Sequence, residues 1–443
     1  MVYRYKIATV FLLGFFIDCI NIFMSAIALP EIALSFSASQ SQVAWVANAY
    51  ILGLVLVMPM SLWLASRLGN QKLLSYSMLL FSLAVWLSGA SNSIYQLIFW
   101  RFIQGIAGGL LIPVGQALVF ALFPNNERQR ISTLIMSVAL IAPAFSPAIG
   151  GVIIDALSWH WIFYANLPLS LLTALLAWIW IKRDERKARE KPDLIGLLMV
   201  SISLLCLLLS FSFYNDYHNL LLAITSFVFS ALVFIIYLQY AKKCREPILN
   251  FQLLKNNNLR NAFIVYYAVP GVFTGVNLLN IFNLQTNLGY NAAQTGLFMV
   301  LYALGAVISM VMGGRWYLRA GKKRLFVIGV TLHSLGIFIL YWVSSSSQLS
   351  LLILAYLLMG MGGGLSANTA QISSLIDFKD KDLLQGSVLW NINRQVAFSV
   401  GAVILISIFS LMTFSSELLR YQYTFLIASV LGLFSLISVL KEK

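Results

Sequence analysis

Long apolar runs alternate with short polar gaps along the chain. A bilayer core of about 30 Å takes roughly 20 apolar residues per helix. Runs of that kind lie near 7–29, 42–64, 72–90, 94–122, 131–155 and 159–181. A charged segment, KRDERKAREKPD at 182–193, then interrupts the series. Two more runs, near 194–214 and 219–241, lead into a polar stretch that reaches Arg260. Six follow near 260–281, 293–317, 324–344, 349–374, 386–412 and 421–440. The pattern predicts an all-α integral membrane protein with fourteen transmembrane helices.

Composition agrees. Hydrophobic residues make up 60% of the chain and charged ones 10%, against about 25% charged in soluble domains. The net charge of +14 is not a nucleic-acid footprint, because the cations sit in short gaps between spans. Placing the amino terminus in the cytoplasm puts nearly all Lys and Arg on that side; Arg420 falls outside, and Arg101 and Arg394 lie within spans. That asymmetry supports an even number of spans, with both termini cytoplasmic. The opening run is too long for a cleavable signal peptide and lacks a small-residue cleavage pattern, so it is expected to remain as the first helix. Cys19, Cys206 and Cys244 form no disulfide framework and read as thiols.

GIAGGL at 105–110 matches GMGGGL at 360–365, with Gln116 and Gln371 at one offset, and SRLGNQK at 66–72 parallels LRAGKKR at 318–324. Two related six-helix bundles follow from this, 1–181 and 260–443, with 182–259 supplying a charged linker and two inserted helices. Parallel repeats are one established plan for secondary transporters.

Asp18 is the one acid near the centre of a span. A charge there costs about 2.5–3.5 kcal/mol on insertion scales. Asn21 and Ser25 follow at i+3 and i+7, giving the first helix a polar face that should turn away from lipid. A carboxylate so placed either pairs permanently with an Arg to join two helices or gains and loses a proton along an ion pathway. Arg101 is the candidate neighbour, with Gln104 one turn further in; the alternative is a guanidinium snorkelling to the interface. Arg394, with Asn391 beside it, is open to the same two readings. Thr274, Asn277, Asn280 and Asn283, spaced by three, form a broad polar face on the ninth helix. They line a cavity or bond helix to helix.

Pro143 and the SPAIGG run at 146–151 combine a helix kink with glycines that permit close packing. Trp159, Trp161, Phe163 and Tyr164 fit an interfacial aromatic belt, and His333 reads as structural.

These segments together resemble the major facilitator superfamily, and within it the fourteen-helix drug:proton antiporter branch. The resemblance rests on the run from Asp18 to Pro30, RFIQGIAGGLLIP at 101–113, SPAIGG, SWHWIFYANLP at 158–168, NINRQVAFSVG at 391–401 and the inserted pair of helices. It implies export by alternating access, driven by inward proton flow. It gives Asp18 a coupling role and Arg101 a part in proton relay or substrate response. Pro147, Gly150 and Gly151 become the antiporter motif, and Arg67 and Gly69 the remnant of a gating loop. That loop departs from the family pattern: Ser66 stands where an acid is usual, and Leu62 where a glycine is.

The expected function is therefore a proton-coupled exporter of amphipathic small molecules, such as drugs or a siderophore-like metabolite. It would work as a monomer in a cytoplasmic (inner) membrane, with protons and lipids as partners and no cofactor, metal or nucleic acid. Asn21, Ser25, Gln104, the ninth-helix face, Asn391 and Arg394 are the substrate-binding candidates. A lone Asp18 can exchange one proton for at most one cationic group, which argues against strong dication export. An importer on the same fold stays open, as does a scramblase or intramembrane enzyme. No Gly-rich phosphate loop, HExxH or GxSxG supports a nucleotide or hydrolase reading.

Overall fold

The computed structural model describes residues 2–38, 40–183, 193–215, 219–244, 247–290, 292–414 and 416–441. Its regular elements are helices: α1 (Tyr3–Phe36), α2 (Gln40–Val57), α3 (Ser61–Leu68), α4 (Asn70–Gly89), α5 (Ile94–Leu122) and α6 (Asn125–Ala156) open the chain. The short α7 (His160–Tyr164) leads into α8 (Leu167–Trp180), followed by α9 (Leu194–Asn215) and α10 (Leu220–Lys243). The remainder is α11 (Asn257–Tyr266), α12 (Val272–Phe282), α13 (Ala292–Tyr341), α14 (Leu349–Leu375), α15 (Asp380–Leu411) and α16 (Glu417–Lys441). Among the described residues, 12 helices are long and apolar enough to cross a membrane. Positions left undescribed fall within α6 and α9, two helices outside that count.

Local chemistry explains where helices start and break. Ser93 and Asn256 accept the backbone N–H of Gln96 and Leu259, capping α5 and α11, and so satisfy donors that a helix start leaves open. Pro59 lies in a 3₁₀ turn, Met58–Met60, that separates α2 from α3. Gly69 ends α3 at φ 81°, and Gly321 kinks α13 at φ 76°. L-side chains avoid that region, and the two glycines occupy matching places in SRLGNQK and LRAGKKR.

Several expected boundaries change. The first helix runs through Pro30 to Phe36 instead of ending at Leu29. Tyr267–Gly271 and Asn283–Asn287 are π-helical turns flanking α12, so the ninth span extends to Asn287. Pro270 sits in the first of them; lacking an N–H, it cannot complete a regular α turn. The break expected near 318–323 is present within the range of α13: Gly321 is non-helical, and the membrane-length spans Gln294–Gly313 and Arg319–Tyr341 lie on either side.

Two compact units divide the chain. One holds Met1–Phe123, Phe145–Gln252 and Lys379–Ile392; the other holds Pro124–Ala144, Leu253–Phe378 and Asn393–Lys443. In the first, Phe15, Tyr50, Phe81 and Phe120 are among the largest fully buried side chains. In the second, a core cluster joins Val276, Leu279, Tyr302, Ile337, Tyr356 and Phe425.

Candidate functional site

The site is assembled from α1, α2 and α5, all within the first unit. Asp18 is 3% exposed, with Asn21 and Ser25 buried on the same face of α1. The polar stripe read from the sequence therefore points into protein. From α2, buried Tyr50 donates its hydroxyl to Asp18 Oδ1.

Glycines on α5 let these groups come so close. A Cβ on Gly105 would strike the Tyr50 carbonyl, and one on Gly109 the Leu54 carbonyl. A Cβ on Gly108 would lie 2.6 Å from Asp18 Oδ1 and 3.1 Å from the Tyr50 hydroxyl oxygen. Small residues at a helix contact allow this backbone approach. The GIAGG run is the floor on which the carboxylate and the phenol rest.

Arg101 is 1% exposed, which rules out snorkelling. Its Nε donates to the Val46 carbonyl at 3.0 Å, one turn before Tyr50. Its Nη1 donates to Asn21 Oδ1 and, at 2.8 Å, to Gln104 Oε1, while Nη2 donates to Ser25 Oγ at 3.0 Å. The guanidinium carbon lies 4.5 Å from the Tyr50 ring centroid and 5.8 Å from that of Phe163. Buried cation–π contacts of this kind contribute up to about 2 kcal/mol. Asp18, Asn21, Ser25, Arg101 and Gln104 thus lie together in one cluster, while Tyr50 and Gly108 are additions that the sequence reading missed.

The second unit repeats the notch without the charges. A Cβ on Gly360 would strike the Tyr302 carbonyl, one on Gly363 would lie 2.6 Å from the Tyr302 hydroxyl oxygen, and one on Gly364 would meet the Ala306 carbonyl. The Phe273 ring stacks on Tyr302, centroids 3.9 Å apart. Tyr356, at the place in the repeat that Arg101 holds, accepts from Asn280 Nδ2 at 2.9 Å.

The remaining predicted residues are dispersed. On the ninth-helix face, Thr274 donates to its own helix at the Pro270 carbonyl, 2.9 Å away, and Asn283 Oδ1 accepts from Asn287 at 3.1 Å. Asn277 Oδ1 is buried with no partner. Asn391 Nδ2 donates to Gln116 Oε1 at 2.6 Å and to the Ser387 carbonyl at 2.8 Å. Arg394 is buried in the second unit. Arg67 is exposed and lies over Trp63, 5.1 Å from its centroid. Gly150 faces Ile27 and Met24 of α1 at ordinary contact distance, and Gly151 has open space beside it. Pro147 is within α6, and its side chain lies outside the described residues. The aromatic belt needs correction: Trp159 and Phe163 are buried, with Trp159 Nε1 donating to Ser35 Oγ at 3.1 Å. Only Trp161 of that group's large apolar rings is strongly exposed. His333 is fully buried.

Twelve membrane-length helices among the described residues mark a multi-pass membrane protein, and its family makes it a transporter, not an enzyme. The chain belongs to the Major Facilitator Superfamily, whose family model matches residues 11–371 and 262–442. It is 29% identical over 413 residues to the "Multidrug resistance protein B homolog" of Mycobacterium tuberculosis, covering 91% of this chain and 74% of that one. It is 26% identical over 372 residues to "Multidrug resistance protein 3" of Bacillus subtilis, covering 84% and 72%. The Escherichia coli "Multidrug export protein EmrB" is 28% identical over 337 residues, 74% of this chain and 64% of that one. In fold, the chain is similar to the crystal structure of the human organic anion transporter MFSD10 (TETRAN), with a TM-score of 0.72, 15% identity, and 98% and 99% coverage.

Proposed function

We propose that the protein is a proton-coupled exporter that moves amphipathic small molecules, drugs among them, out across a cytoplasmic membrane by alternating access. The observation that carries this reading is Asp18: among the described residues it is the one buried acid, and it sits beside a buried arginine. The names of the bacterial relatives, which speak of multidrug resistance and export, support the direction of transport.

In the cycle, substrate enters from the cytoplasm or inner leaflet while Asp18 is ionised. Protonation from outside then promotes release and return of the carrier. The membrane potential supplies about 2.3 kcal/mol per elementary charge per 100 mV, in addition to the pH term. Asp18 and Arg101 form the coupling pair. Asn21, Ser25 and Gln104 border it, and Thr274, Asn277, Asn280, Asn283, Asn391 and Arg394 are substrate-contact candidates. Arg67, Gly69, Pro147, Gly150 and Gly151 serve gating. The fourteen-span topology, with α9 and α10 as the inserted pair, cytoplasmic termini and a monomeric carrier complete the reading.

The test is Asp18→Asn in proteoliposomes with an imposed pH gradient. The variant is expected to stay monodisperse and to lose gradient-driven flux. Flux equal to the parent's would remove Asp18 from the mechanism.

A further inference from the structure

The Arg101 cluster holds more hydrogen-bond donors than acceptors. A guanidinium carries five N–H groups. One reaches the Val46 carbonyl, two the side-chain oxygens of Asn21 and Gln104, and one Ser25 Oγ. One N–H on Nη2 is left over. Asn21 Nδ2 and Gln104 Nε2 are also buried with no acceptor, on side chains 1% and 0% exposed. Both amide oxygens lie on the same Nη1, so their NH₂ groups flank one guanidinium. The amide orientations follow from this: turning either amide over would set N–H against N–H.

Buried donors without partners carry a penalty, and in native proteins such groups point to an unseen water, ion or functional partner. Here the unmet groups are donors of one kind, grouped beside a fixed positive charge. Neither NH₂ group has Asp18, or any other acceptor, within hydrogen-bond reach; Tyr50 donates to Asp18 Oδ1.

We propose that this cluster receives an oxygen acceptor of the transported amphiphile, a carbonyl or carboxylate group, between Asn21 Nδ2 and Gln104 Nε2. The proposal rests on the transporter reading and names its substrate class. A cationic head group would meet Arg101 and surplus N–H groups, all of the wrong polarity. A water molecule offers the same acceptor chemistry, and the experiment separates the two sources.

Full-length protein in detergent, at one pH and with no gradient, is titrated with three probes sharing one ring system: a naphthoate, its methyl ester and a naphthylmethylammonium. The two oxygen-bearing probes are expected to bind about tenfold more tightly than the ammonium. Gln104→Glu keeps an oxygen for Arg101 Nη1 and removes the Nε2 donor. It should erase that preference without weakening the ammonium. Equal affinity for all three probes in the parent would mean the donors hold water alone, and the proposal fails. An undiminished preference in Gln104→Glu overturns it too, and Gln104→Met provides the same readout if the glutamate variant does not fold. Proton coupling is not involved in this measurement. An Asp18→Asn protein that lost flux but kept the probe preference would uphold the site independently, whereas failure of the exporter reading alone would appear only in the flux assay.

Discussion

Tyr50 donates its hydroxyl to Asp18 Oδ1 while its ring faces the Arg101 guanidinium. One side chain therefore touches both members of the proposed coupling pair, with the phenol on the carboxylate and the π face under the cation. Under the proposed coupling, a change in charge on Asp18 would alter the hydrogen bond of a phenol whose ring also lies against Arg101.

Tyr50→Phe isolates the hydroxyl, because the ring and its cation–π contact remain. A hydrogen bond to a charged group contributes about 1.5–3 kcal/mol. The variant should fold, yet lose about tenfold or more in pH-driven flux. Tyr50→Leu, which also removes the stacking face, should lose more and unfold at lower temperature. Parallel measurements of flux and thermal unfolding check both, and a Phe variant with parental flux would confine Tyr50 to packing.

Gly108 and Gly151 are both glycines of recognisable motifs, and their surroundings separate them. A methyl group at 108 would lie 2.6 Å from Asp18 Oδ1, whereas at 151 it would meet nothing within 4 Å. Gly108→Ala should displace the carboxylate or part α1 from α5, with a cost of about 1–3 kcal/mol and loss of coupled flux. Gly151→Ala should be neutral to stabilising, since alanine is favoured over glycine in helices by up to about 1 kcal/mol. If Gly151→Ala is more stable but transports more slowly, bending at the motif is the function of that glycine. If it is more stable and fully active, the glycine has no motional role.

Much of this was legible in the sequence for one physical reason: charge in a hydrocarbon environment is costly, so Asp18 and Arg101 stand out in apolar runs and their i+3 and i+7 neighbours mark the inward face. Tyr50 carried no such mark, because a tyrosine in an apolar span resembles any packing or interfacial ring. The repeat offered the missed signal. Tyr302 stands against Gly360 and Gly363 as Tyr50 stands against Gly105 and Gly108, and aligning the tyrosines with the glycine runs would have paired them. The first π turn had a mark in the sequence, Pro270, which carries no N–H; the second, Asn283–Asn287, holds no proline and had none. Trp159 and Phe163 were misplaced because aromatic rings near a helix start suit a belt and a core equally well.

Asn277 and Asn280 lie one turn apart on α12 and differ in their partners. Asn280 Nδ2 donates to the Tyr356 hydroxyl at 2.9 Å, joining α12 to α14, whereas Asn277 Oδ1 is buried and unpartnered. Inter-helical hydrogen bonds in membranes average about 0.6 kcal/mol, so Asn280→Leu should destabilise by roughly that amount, with part of the loss from a phenol left unpaired. Asn277→Leu removes a polar atom that has nothing to bond and should leave stability unchanged or raise it. Unfolding in detergent reads the difference, and flux reads the function. If Asn277→Leu is as stable as the parent but weakens transport of some substrates, Asn277 is a substrate contact kept at the expense of packing. If stability and transport both hold, the polar face of this helix bonds helix to helix only through Asn280, and substrate contacts lie elsewhere.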